Sequence, residues 1–217
     1  YGSDYFLIMT FSPTRDLFND DSLNQITSLS DRLNEIPGVE SVISILNVPL
    51  INSPPVSRDI LQNHTPTMLS PRTDRSLAQQ ELITSPLYKN LLISTDSKTT
   101  ALLIYIEENK KYREFLAQRD SLRLLEQDES ISAEQRQQLS EINKFLSLKS
   151  NEIQDKLAGL IADVRQVMSD YQQYGPLHLG GVPMITADSI AFIRHDLMNF
   201  GLVVFLFIIA TLAISFS

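Results

Sequence analysis

The chain has 217 residues, 43% of them hydrophobic and 20% charged, enough to bury one sizeable core and too apolar for a disordered tail. With 18 Lys and Arg against 26 Asp and Glu the formal charge is −8, which repels phosphate backbones and argues against nucleic acid as a partner. Cysteine is absent, which excludes a disulfide framework, a thiolate zinc site and a cysteine nucleophile together. The chain opens at Tyr1 with no basic-then-apolar signal region, and reads as a piece of a longer protein.

Tyr5 to Phe11 (YFLIMTF) is an apolar run closed by Ser12 and Pro13, the pattern of a buried strand. Ser22 with Gln25 forms a capping box, after which Leu23, Ile26, Leu29, Leu33 and Ile36 recur at helical spacing until Pro37 and Gly38. Val39 to Leu46 mixes apolar residues with Glu40, Ser41 and Ser44, as in a strand less buried than the first. Six of the ten prolines lie between Pro49 and Pro86 and break up regular structure from Val48 to about Pro71, leaving a long loop or flap. A short helix with a weak pattern follows between Asp74 and Ile83. Asn90–Thr95 and Thr99–Ile106 are strand-like runs separated by Asp96, Ser97 and Lys98, which predicts a β-hairpin.

Lys110 to Tyr174 is polar, glycine-poor and helical, interrupted near Gln127 to Ile131 and restarted by a second capping box, Ser132 with Gln135. Leu139, Ile142, Leu146, Ile153, Leu157, Leu160, Val164, Val167 and Tyr171 step mostly by three and four, the seam of a helical hairpin or coiled coil. Tyr112, Phe115, Leu122 and Leu125 are its partner seam. The seam serves either self-packing or the docking of a partner or second protomer, which would make a homo-oligomer. Leu177 to Val182 (LHLGGV) reads as a short strand, and Ile185 to Phe200 as a helix. From Leu197 to Phe216 twenty residues pass without a charge, about 30 Å of helix and the thickness of a bilayer's hydrocarbon core; a buried soluble helix is the competing account. In chain order this is an α+β pattern, a ferredoxin-like split β-α-β with the first run and Thr99–Ile106 as central strands, one extra edge strand and an inserted helical hairpin at about 110–174.

Gly180, Gly181 and Pro183 join the last strand to the last helix, where they act either as a hinge or as a tight turn that needs φ > 0 without motion. Asp188 and Ser189 lie just beyond, with Thr186 as the expected N-cap. They face either a substrate entrance at the membrane surface or nothing more than a helix dipole that favours a carboxylate. His64, His178 and His195 are too scattered for a metal site, and no cofactor motif is present. Glu107 and Glu108 are consecutive strand residues and point to opposite faces, so they do not form an acid–base pair. No nucleophile constellation can be assembled, so the chain is not read as an enzyme.

The segments YGSDYFLIMTFSP, LNEIPGVESVISILNVPLINSPPV, SPLYKNLLISTDSKTTALLIYI and LHLGGVPMITADSIAFIRHDLMNFG resemble the first large extracytoplasmic loop and second transmembrane helix of RND-superfamily exporters. The likeness is to the MMPL-like, hydrophobe and amphiphile efflux branch. It implies a porter-type domain over residues 1–191 in the periplasm and a transmembrane helix starting in 192–217, anchored in a bacterial inner membrane. It further implies a proton-driven exporter whose cargo is a lipid or another amphiphile, and whose second porter domain belongs to the same polypeptide. The alternative is a membrane-anchored periplasmic interaction or sensor domain whose helical hairpin binds another protein.

Overall fold

A computed structural model of the chain describes residues 5–53, 66–71 and 73–215, with only some of the side chains described from Ala191 onward. Part of the proline-rich loop expected from Val48 to Pro71, and His64 within it, lie outside the described residues. The protein is α+β. Its elements are β1 (Phe6–Phe11), α1 (Asp20–Asn34), β2 (Val39–Ile43), α2 (Arg75–Thr84), β3 (Thr100–Ile106), α3 (Lys110–Gln127), α4 (Ala133–Tyr171), β4 (Leu177–Gly180) and α5 (Val182–Ser215), with a 3-10 turn at Gln172–Tyr174 after α4.

The four strands form one sheet in the order β2-β3-β1-β4, with every neighbouring pair antiparallel. The two most apolar strands, β1 and β3, are the central pair, because a strand flanked on both sides has the least polar surroundings. Side chains alternate across β1. Leu7, Met9 and Phe11 are fully buried, in one cluster with Leu23, Ile26, Leu29 and Leu33 of α1 and Leu157, Leu160, Val164 and Val167 of α4. Phe6, Ile8 and Thr10 point to the opposite face and stay partly or fully exposed. Each buried Leu or Ile contributes roughly 1.5–3 kcal/mol, so this helix-covered face carries most of the stability.

The α4 helix runs 39 residues without a break, about 58 Å, and serves two cores. Its first part, with Leu139, Ile142 and Leu146, packs against Leu122 and the partly buried Tyr112, Phe115 and Leu125 of α3. This arm holds a Phe115–Phe145 ring contact at 4.6 Å with the Lys111 ammonium over both rings. Its last part belongs to the sheet's own core. The expected single seam through Tyr171 therefore divides near Ile153, and only the stretch before that point projects as the hairpin. The capping box at Ser132 and Gln135 forms as expected.

Four local expectations are corrected. The hairpin strand at Asn90–Thr95 does not form; only single bridges link Ile93 to Lys89 and to Thr100. The Tyr88 carbonyl accepts from the N–H groups of Leu91, Leu92 and Ile93, and Asn90 adopts φ 65°, so the chain curls before it can extend. The fourfold sheet thus lacks the extra edge strand. The first helix starts before Ser22: Asn19 caps it by accepting the Ser22 N–H at 2.8 Å, and the Ser22 hydroxyl is buried with no hydrogen-bond partner. β2 ends at Ile43 rather than Leu46, because the Asn47 side chain accepts from the Ser44 N–H and donates to the Val42 carbonyl, closing a turn. The fourth correction, at the root of α5, belongs to the site itself.

Candidate functional site

β4 becomes α5 through one residue, Gly181. Its φ is +129°, and a Cβ built there would lie 2.9 Å from the Phe6 carbonyl oxygen and 3.2 Å from the Leu7 Cα. Both obstacles are backbone of the central strand, so only glycine fits. Gly180 differs: a Cβ there would meet nothing within 4 Å. Of the two glycines singled out in the sequence, one is a packing requirement and the other leaves open space.

The helix begins at Val182, which makes Thr186 an interior residue rather than the N-cap; its hydroxyl donates to the Val182 carbonyl at 3.0 Å. Pro183 is the second helical residue, where its missing N–H leaves no broken bond, and it is buried. Met184 and Ala187 pack against the main core from the same helix. Asp188 turns toward α4, where both its carboxylate oxygens accept from Arg165 Nη2, at 2.8 and 3.1 Å. Ser189, one residue on, is exposed. The two entrance candidates therefore separate: Asp188 is held by the domain and Ser189 faces away from that contact.

Arg165 was not visible as a partner from sequence because 23 residues and a strand lie between it and Asp188. One signal was present: it is the only Lys or Arg between Lys156 and Arg194. A second residue missed by pattern reading is Glu81 of α2. It is 8% exposed, and its carboxylate accepts from the Ile51 and Asn52 N–H groups and the Ser53 hydroxyl, at 2.8, 2.9 and 2.7 Å. Those bonds, with the Tyr88 hydroxyl donating to the Pro49 carbonyl, fasten the start of the proline-rich loop to the domain. Burial first and the Glu81 charge second push the Tyr88 hydroxyl above its ordinary value.

A groove of about 500 Å³ between α1 and the end of α4 contains Asp21, Arg32, Asp170 and Tyr171. Asp21 pairs with Arg15, Arg32 with Asp170 at 2.7 Å, and the Tyr171 hydroxyl with Ser28 at 2.7 Å, which leaves that groove no uncompensated charge for a ligand. Glu108 pairs with Arg113, while the Glu107 N–H donates to the Gly38 carbonyl past the end of β3. His178 is exposed on β4, and among the described residues no three His, Asp or Glu side chains are grouped to hold a metal ion.

The face of the sheet turned away from α1 and α4 is apolar in its centre. Across the register Ile43, Leu103, Ile8 and Gly180 stand in one row and Tyr105 and Phe6 in the next, with the two rings 5.6 Å apart. Ile8 is 36% exposed, unusual for the centre of a sheet. Counted over the described residues alone, no helix is long and apolar enough to cross a membrane. α5 itself runs 34 residues, and its sequence from Leu197 onward carries no Asp, Glu, Lys or Arg. No family model, curated protein or solved structure matches the chain.

Proposed function

We propose that this chain is a periplasmic porter-like domain of a proton-driven inner-membrane exporter of lipids or other amphiphiles, with residues 1–191 outside the bilayer and 192–217 entering it. The observation that carries the reading is the passage of β4 into α5 through Gly181 alone, with the far half of that helix free of charge. A domain joined so directly to a membrane-entering helix passes its movement on to that helix. The strand order β2-β3-β1-β4 with α1 and α4 over one face supports a ferredoxin-like, porter-type architecture with the α3–α4 arm inserted. The apolar outer face around Ile8, Leu103 and Tyr105 is where an amphiphilic cargo would slide, between this domain and a second porter domain of the same polypeptide. The blocks that resemble the MMPL-like branch of RND exporters support the same assignment.

The test is made on the intact protein. A cysteine pair placed to lock this domain to its counterpart would stop export when oxidised and restore it when reduced. Unchanged export at full cross-linking refutes the reading. The arm favours a second account, a membrane-anchored interaction domain, because it has its own small core and exposes Leu124 and Leu148. That account predicts that deleting the arm abolishes capture of a protein partner while any transport persists.

A further inference from the structure

We infer that Arg165 and Asp188 form a latch that sets the direction in which α5 leaves the domain. The inference deepens the reading of the α5 root as the point where domain movement reaches the membrane.

Three observations carry it. First, the root of α5 is held from two sides of unequal strength. Gly181 is wedged under the Phe6 and Leu7 backbone, Met184 and Ala187 touch the core, and just beyond Ala187 the ion pair ties α5 to α4. Ile185 and Phe192, three before and four after Asp188 on the same helix face, are 60% and 69% exposed, and Val182 is 71% exposed, so these apolar residues leave the ion pair without cover. Secondly, the geometry is specific: one guanidinium nitrogen reaches both oxygens of Asp188, whose side chain is only 31% exposed, from a residue anchored between the buried Val164 and Val167. No other Lys or Arg lies between Lys156 and Arg194, so no neighbour on α4 or β4 can take Arg165's place. Thirdly, the pair is weak enough to open. Arg165 is 49% exposed, and a pair at such a surface shifts a two-state equilibrium only about two- to fivefold. A pair of that strength biases an orientation of α5 without welding it.

Loss of the pair therefore releases α5 to swing at its Gly181 root while the sheet stays folded. Arg165 acts as a positioning residue, and the partner that competes for either group is whatever charge approaches the joint.

The experiment uses the whole chain in nanodiscs. Because the chain has no cysteine, Glu40→Cys on β2 and Phe192→Cys on α5 give a unique spin-label pair for distance measurement. We expect Arg165→Gln and Asp188→Asn each to raise a second distance population two- to fivefold. The charge-reversed double variant, Arg165→Asp with Asp188→Arg, returns the original distribution. Amide protection of β1 and β3 in every variant separates release of α5 from unfolding. Single variants with unchanged distances overturn the latch, and so does a reversed pair that fails to restore them. The readout involves no export, so failure of the exporter reading leaves it standing, and failure of the latch leaves export to be judged separately.

Discussion

Replacing Gly181 with Ala tests the root of α5 most directly, because the neighbouring glycine supplies the control. An L-residue held at φ +129° costs about 1–3 kcal/mol in backbone strain. The new methyl would also stand 2.9 Å from the Phe6 carbonyl oxygen, and moving that backbone aside costs a further 1–3 kcal/mol or so. Together the two terms destabilise by about 4 kcal/mol, roughly a thousandfold in the ratio of folded to unfolded chain. Gly180→Ala runs the other way: its Cβ meets nothing within 4 Å and its φ is not in the left-handed region, so restricting the unfolded chain stabilises by about 0.4–1 kcal/mol. Urea unfolding in mild detergent, followed by far-ultraviolet circular dichroism, reads both variants. At a slope of about 1–3 kcal/mol/M the Gly181 variant unfolds at least 1 M or so earlier than wild type, and the Gly180 variant slightly later. Equal midpoints for the two variants would refute the packing argument.

Glu81→Gln exchanges one of two accepting oxygens for an amide that faces a donor, which costs about 2 kcal/mol and lowers Tm by about 4–8 °C in a thermal melt. The same variant brings the Tyr88 hydroxyl back toward its ordinary value in a phenolate absorbance titration, since the Glu81 charge is one of the two causes that raise it. Hydrogen bonds from Lys149 and then Lys156 lower the Glu152 carboxyl from 4.5 to about 2. Its contribution to the stability of α4 is therefore complete above pH 4.5 and lost as pH falls toward 2; carboxylate NMR should find a midpoint near 2, and Glu152→Gln should remove that part of the acid dependence. Ile142→Ala leaves a cavity in the arm worth about 2–5 kcal/mol, and hydrogen exchange should then show α3 amides losing protection while β1 and β3 keep theirs. Simultaneous loss in both regions would mean the two cores are not separate.

The elements legible from sequence are those whose signal is local and periodic. Leu23, Ile26, Leu29 and Leu33 mark α1, and Ser132 with Gln135 marks the start of α4, because both patterns depend on residues three or four apart. Asn90–Thr95 misled for the converse reason. Its composition suits a strand, but Tyr88 and Asn90 fold the chain into consecutive turns, and an isolated run gains strand geometry only if a neighbour pairs with it. The α4 seam was visible as a spacing, but whether each residue met α3 or the sheet was not, since both partners demand the same apolar types. At the site, the need for a special backbone at Gly180–Gly181 was legible, while its assignment to Gly181 required knowing that Phe6 runs alongside. Arg165 and Glu81 act through contacts 23 to 30 residues away in sequence, where no periodicity reaches.

One helix ties these observations together. Because α4 is continuous, its stretch in the arm, its stretch in the sheet core and Arg165 belong to a single helix about 58 Å long. A tilt of the arm has no internal joint in which to be absorbed: α4 contains one glycine, Gly159, and no proline. It is transferred instead to the contacts of the last part of α4, which are the helix-covered face of the sheet and the ion pair to Asp188. The sheet contacts are apolar, numerous and fully buried, and yielding there would cost several kcal/mol. The exposed ion pair costs a small fraction of that to open. Of the two, the root of α5 is where a displacement of the arm would first be felt.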